Sequence, residues 1–159
     1  MDLAPGAERA AAATGEREIT ASRIFDAPRD LVFRVWTEPG HVAKWWGPDG
    51  FRTTIETMDV RPGGDRRFVM HGPDGTDYPN RIVYLEVLPP ERLVYDHLSG
   101  PRFRMTVLFS EEGKKTRVTV RMLFPSAADR DRTVETFHAV DGLGQTLGRL
   151  GEHVREVAR

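Results

Sequence analysis

The stretch Ile24–Pro48, IFDAPRDLVFRVWTEPGHVAKWWGP, constrains the fold more than any other, because it writes a strand end, two short helices and their breaks in order. Phe25-Asp26-Ala27-Pro28 ends a strand: proline lacks a ladder donor and pushes its predecessor out of the helical region, yet it suits a helix's first turn. A helix is therefore expected from about Pro28. Leu31, Val32, Val35 and Trp36 recur at helical spacing until Thr37-Glu38-Pro39 interrupts, and Val42, Trp45 and Trp46 follow until Gly47-Pro48 stops a second segment. The tryptophan pair reads first as core that locks these helices onto a sheet, with Trp46 also a candidate for a cavity entrance.

Beyond this pair the period changes from helical to alternating. Phe51 to Val60 and Arg66 to His71 are strand-like runs around the Arg61-Pro62-Gly63-Gly64 turn, and Pro73-Asp74-Gly75 makes the next tip. Arg81 to Leu88 and Arg92 to Leu98 flank the stiff Pro89-Pro90 connection. Phe103, Met105, Val107 and Phe109 alternate with polar residues, as do Val118, Val120 and Met122, which gives strands with one buried and one wet face. Glu111-Glu112-Gly113-Lys114 joins them as a charged, solvated tip. Ser126 and Asp129 have capping-box spacing, so one long helix is expected from there to the C-terminus, with Val134, Phe137, Asp141, Gly144, Leu147 and Val154 on one face. Its glycines, Gly142, Gly144, Gly148 and Gly151, each cost about 1 kcal/mol against alanine and call for close packing, a kink or ligand space.

The 159 residues suit one domain, and 39% hydrophobic with 30% charged residues is ordinary for a globule. Residues 1–16, rich in alanine and glycine without an apolar stripe, are expected to be a disordered tail, and 17–159 a single domain. A formal charge of -1 with interleaved signs argues against a nucleic-acid partner. No cysteine is present, which excludes disulfides, thiol nucleophiles and zinc thiolate sites and suits a reducing compartment. No apolar run approaches the roughly 18 residues of a membrane span, so no membrane role and a cytoplasmic location are expected.

The strand–Ala-Pro–helix entry, Trp36-Thr37-Glu38-Pro39, Trp45-Trp46-Gly47-Pro48, Arg61-Pro62-Gly63-Gly64, Pro73-Asp74-Gly75 and Pro89-Pro90-Glu91-Arg92-Leu93 resemble the START-like (SRPBCC) superfamily. Within it they resemble the branch of homologues of the activator of the ninety-kilodalton heat-shock protein ATPase, over residues 17 to 157. The resemblance implies an α+β helix-grip fold, like that of the Bet v proteins: a curved antiparallel sheet of about six strands after the helical pair, wrapped around a long C-terminal helix, often with a cavity between. Two departures stand out. Relatives often carry an aromatic where Asp65-Arg66 stands, and another where Gly142-Leu143 stands.

Three functions follow as expectations. The first is binding of a small, largely hydrophobic molecule, with Trp46, Phe51, Met70, Tyr95, His97, Phe103, Met105, Phe137, Asp141 and Leu147 as candidate ligand-binding residues. The second is a cyclase, dehydratase or hydrolase, in which His97 and Asp141, if both faced the cavity, could orient a polar group or act as acid and base. Separate surface positions for His71, His97, His138 and Asp141 are the plainer reading, and no catalytic residue is assigned. The third is a chaperone or stress-related interaction module, which rests on the family name alone. No histidine or carboxylate set repeats at ligand spacing, so no metal is expected, nor any cofactor. Monomer and homodimer are both compatible with the sequence.

Overall fold

The computed structural model describes residues 16–159 and the backbone course of 9–14. Eight strands form one antiparallel sheet. β1 (Arg9–Thr14) pairs with β2 (Glu18–Phe25), and α1 (Arg29–Thr37) and α2 (Pro39–Trp45) follow. Then come β3 (Arg52–Met58), β4 (Asp65–His71), β5 (Asp77–Leu88), β6 (Arg92–His97), β7 (Phe103–Glu112) and β8 (Lys115–Leu123), and finally α3 (Ala127–Phe137) and α4 (Ala139–Ala158). The order across the sheet is β1-β2-β8-β7-β6-β5-β4-β3, so β2 crosses to pair with β8 while the rest run as a meander. This is the α+β helix-grip arrangement, with two short helices after the strand that enters them.

The helical pair ends where proline and glycine chemistry demands. Pro28 stands at the N-cap of α1 in an extended conformation, and Pro39 opens α2. Trp45 is fully buried, and its indole N–H donates to the Val35 carbonyl at 2.9 Å, tying α2 to α1. The alternation read in β7 and β8 places Met105 opposite Met122 and Val107 opposite Val120, all buried on the inner face.

Three expectations are corrected. The tail expected over 1–16 contains a strand at Arg9–Thr14, where the free edge of β2 supplies the backbone partners that an alanine-rich run does not seek by propensity; residues 1–8 and 15 lie outside the described residues. The strand expected from Arg81 begins at Asp77 and includes Pro79, opposite Val69. The single C-terminal helix is two helices, because His138 takes a left-handed conformation (φ 52°, ψ 45°) and turns the chain between α3 and α4. Ser126 does cap α3, its hydroxyl accepting from the Asp129 N–H at 3.0 Å.

Candidate functional site

The double-glycine turn places one side chain the apolar pattern did not anticipate. The Gly63 N–H donates to the Tyr84 carbonyl and the Tyr84 N–H to the Gly64 carbonyl, both at 2.8 Å, pinning the start of β4 to β5 beside the bulge between Tyr84 and Glu86. Gly64 fits only without a side chain, since a Cβ there would lie 2.1 Å from the Asp59 carbonyl oxygen. From this anchored start the alternation of β4 sends Arg66, Phe68 and Met70 inward, while Asp65 pairs with Arg67 and Arg81 outside.

Arg66 is 1% exposed. Its guanidinium carbon lies 4.9 Å from the Trp46 ring centroid, 4.8 Å from Phe68 and 5.5 Å from Tyr95. Nε and Nη2 are sealed from solvent without a hydrogen-bond partner, and so are the hydroxyls of Tyr84 and Tyr95. Among the described residues no carboxylate forms an ion pair with Arg66. Cation–π contacts of about 0.5–2 kcal/mol each offset only part of a desolvation cost of several kcal/mol for a buried, unpaired charge.

The charge marks its neighbours. Burial pushes the Tyr95 phenol up to about 12 and raises Tyr84, against the opposing pull of the Arg66 charge, so both hydroxyls stay protonated near neutrality. Arg66 lies near enough to both to exert that pull, yet the contacts fall short of hydrogen-bond geometry. His97 is held below its ordinary value first by burial, with the Arg66 charge adding to it and the Pro101 carbonyl opposing. Its Nδ1 is 2.6 Å from that carbonyl oxygen and its Nε2 2.6 Å from the Asn80 amide oxygen. The ring stacks on Phe103 at 4.8 Å, and both residues line a surface pocket of about 250 Å³ that also touches Arg17, Arg102 and Phe124.

Of the residues singled out from sequence, the structure packs Trp46 and Tyr95 around Arg66, together with Phe68, and buries Met105 and Leu147 in the same core. Met70 and Phe103 are half-buried against that core. Phe51 is half-buried beside Gly47 and Tyr78. Phe137 and Asp141 are placed differently from expectation. Phe137 is 54% exposed at the end of α3, and Asp141 is exposed in the first turn of α4 with no hydrogen bond or ion pair among the described residues. The turn at His138 is the reason, since it breaks the stripe that carried both residues on one continuous helix. His97 and Asp141 therefore do not meet as an acid–base pair. His71 lies on another face, bridging Thr54 (2.8 Å) and Asp77 (2.7 Å). Arg66 was missed, although it shares parity with Phe68 and Met70, which is the signal that points inward.

One glycine of α4, Gly151, is explained by packing. A Cβ on Gly148 would come 3.5 Å from an Arg23 guanidinium nitrogen, and one on Gly151 3.1 Å, so Arg23 of β2 lies under this stretch of the helix. Arg149 donates from Nη1 to the Gly47 and Pro48 carbonyls at 2.8 and 3.0 Å, fastening the loop after Trp46 to α4.

An antiparallel sheet packed around a long C-terminal helix, with two short helices after β2, is the helix-grip arrangement of START-like proteins. The chain belongs to the family described as Activator of Hsp90 ATPase homolog 1-like protein, whose profile matches residues 26–155. It is similar in structure to a protein of Nitrosomonas europaea, with TM-score 0.80 and 26% identity over 91% of this chain and 98% of that one. A protein of Arthrobacter aurescens gives TM-score 0.87 at 22% identity over 92% and 91%. An AHSA1-like protein of Aeromonas hydrophila gives 0.68 at 18% over 87% and 94%. No curated protein matches. Among the described residues no helix is long and apolar enough to cross a membrane, and no three histidine or carboxylate side chains gather as a metal site.

Proposed function

We propose that this protein binds a small, largely hydrophobic molecule between the inner face of the sheet and α4. The observation that carries the reading is the set of interior polar atoms, on Arg66, Tyr84 and Tyr95, that the chain leaves unsatisfied within an aromatic wall. A core built only for stability gains nothing from a buried cation without a partner, because an apolar side chain of similar volume is as good or better there. Binding sites have this composition: mostly apolar, with a few polar groups that fix orientation. The half-buried Trp46, Met70, Phe103 and Leu143 packed against the core are the side chains that can move to admit such a molecule, methionine being the most adaptable. A cytoplasmic setting belongs to the same reading and is supported by a chain without cysteine.

Native mass spectrometry of protein purified from its own host tests this. The expected result is a mass above that of the bare chain that disappears on denaturation, together with uptake of the neutral apolar dye Nile red by the emptied protein. A bare mass combined with no dye uptake would sink the proposal.

A further inference from the structure

Resting on the reading that the interior admits a small apolar molecule, we propose that this molecule carries a carboxylate, for which Arg66 is the counter-ion and the Tyr84 and Tyr95 hydroxyls are hydrogen-bond donors. The geometry of the guanidinium selects the group. Three aromatic rings, of Trp46, Phe68 and Tyr95, lie 4.8 to 5.5 Å from the guanidinium carbon, within cation–π reach. The two nitrogens left without a partner are Nε and Nη2. These two present their N–H bonds side by side on one edge, the fork that receives both oxygens of a planar carboxylate.

The protein supplies no such group itself. Asp65, the carboxylate adjacent in sequence, is turned outward to Arg67 and Arg81, and among the described residues no other carboxylate pairs with Arg66. The phenol hydroxyls add donors and no charge, so an anion meets one cation and two neutral donors. A neutral ligand would leave the cation uncompensated, whereas a carboxylate on an apolar body satisfies the fork while its remainder lies among aromatic side chains.

Matched acids and primary amides test this on the full chain by calorimetry and thermal shift: cinnamate against cinnamamide, 2-naphthoate against 2-naphthamide, decanoate against decanamide. The acids are expected to bind about tenfold to a hundredfold more tightly than their amides, the range for hydrogen bonds to a charged group. Arg66→Met should bring acid affinity down to the amide level, leave the amides unchanged and keep or raise the Tm of the ligand-free protein, because it removes an unpaired buried charge. Arg66→Lys keeps the charge without the fork and should fall between; it carries the comparison if Arg66→Met does not fold. Equal binding of acid and amide overturns the carboxylate and leaves the binding reading standing. No binding by either series or by Nile red overturns the reading beneath it. A lower Tm for Arg66→Met with unchanged acid affinity makes Arg66 a packing residue and overturns the inference.

Discussion

Gly64 and Arg66, two residues apart, show how one turn places a buried charged side chain. Gly64→Ala would put a methyl onto the Asp59 backbone, which cannot yield as a flexible side chain would, so the turn that holds β4 against Tyr84 must distort. A loss of about 3 kcal/mol or more is expected from urea denaturation, at the upper end for overpacking. Gly148→Ala is expected to act in the opposite direction. Its Cβ meets Arg23 at an ordinary 3.5 Å, so the helix-propensity gain of up to about 1 kcal/mol should appear as a raised Tm. Arg66 itself was legible only in part. Its parity with Phe68 and Met70 was present in the sequence, but an arginine in a strand is usually solvated, and only the packing of Trp46 from a distant loop shows why this one is not.

At the scale of elements, period and punctuation were readable where breakers stand in the chain. Pro28, Pro39 and Gly47-Pro48 bound α1 and α2 as expected. The break between α3 and α4 has no such signal, because it falls on His138, which takes a left-handed conformation with no proline or glycine beside it to mark the turn. Ser126 is the opposite case, with local chemistry that needs no tertiary help. Ser126→Ala should cost about 1 kcal/mol in chemical denaturation through loss of the α3 cap. The joint between α2 and α4 predicts a pH effect. His41 Nδ1 and His153 Nε2 lie 2.9 Å apart with Glu38, Lys44 and Glu156 around them, and burial followed by the charges of His41 and Lys44 holds His153 below its ordinary 6.5, against Glu156. His97 is lowered as well. Folding favours both neutral rings, so their contribution is complete above about pH 6.5 and is lost as pH falls from there through the lower folded values. The urea midpoint should hold from pH 8 to about 7 and fall toward pH 5; a midpoint constant across that fall would contradict the lowered values.

The whole molecule joins a sheet of ordinary alternation to an interior that departs from it at one point. Most of the core, from Ile19 and Ala21 across Val107 and Val120 to Leu147 and Leu150, is what an apolar pattern packs unaided. The cluster of Arg66, Tyr84 and Tyr95 has a different chemistry, polar, buried and unsatisfied, and it draws on β4, β5 and β6 with the loop after α2. Such a constellation is invisible along the chain because its members are far apart in sequence and each is unremarkable alone. An interior that receives a small molecule, as proposed, must report its arrival at these side chains. The most direct measurement is the arginine Nε–H and tryptophan indole region of the nitrogen–proton NMR spectrum during titration with Nile red and then with cinnamate. The Arg66 Nε–H and the Trp46 indole signals are expected to shift with either probe, the Arg66 signal moving farther with the acid. A titration that reaches saturation with both signals unmoved would place binding elsewhere and contradict the proposal.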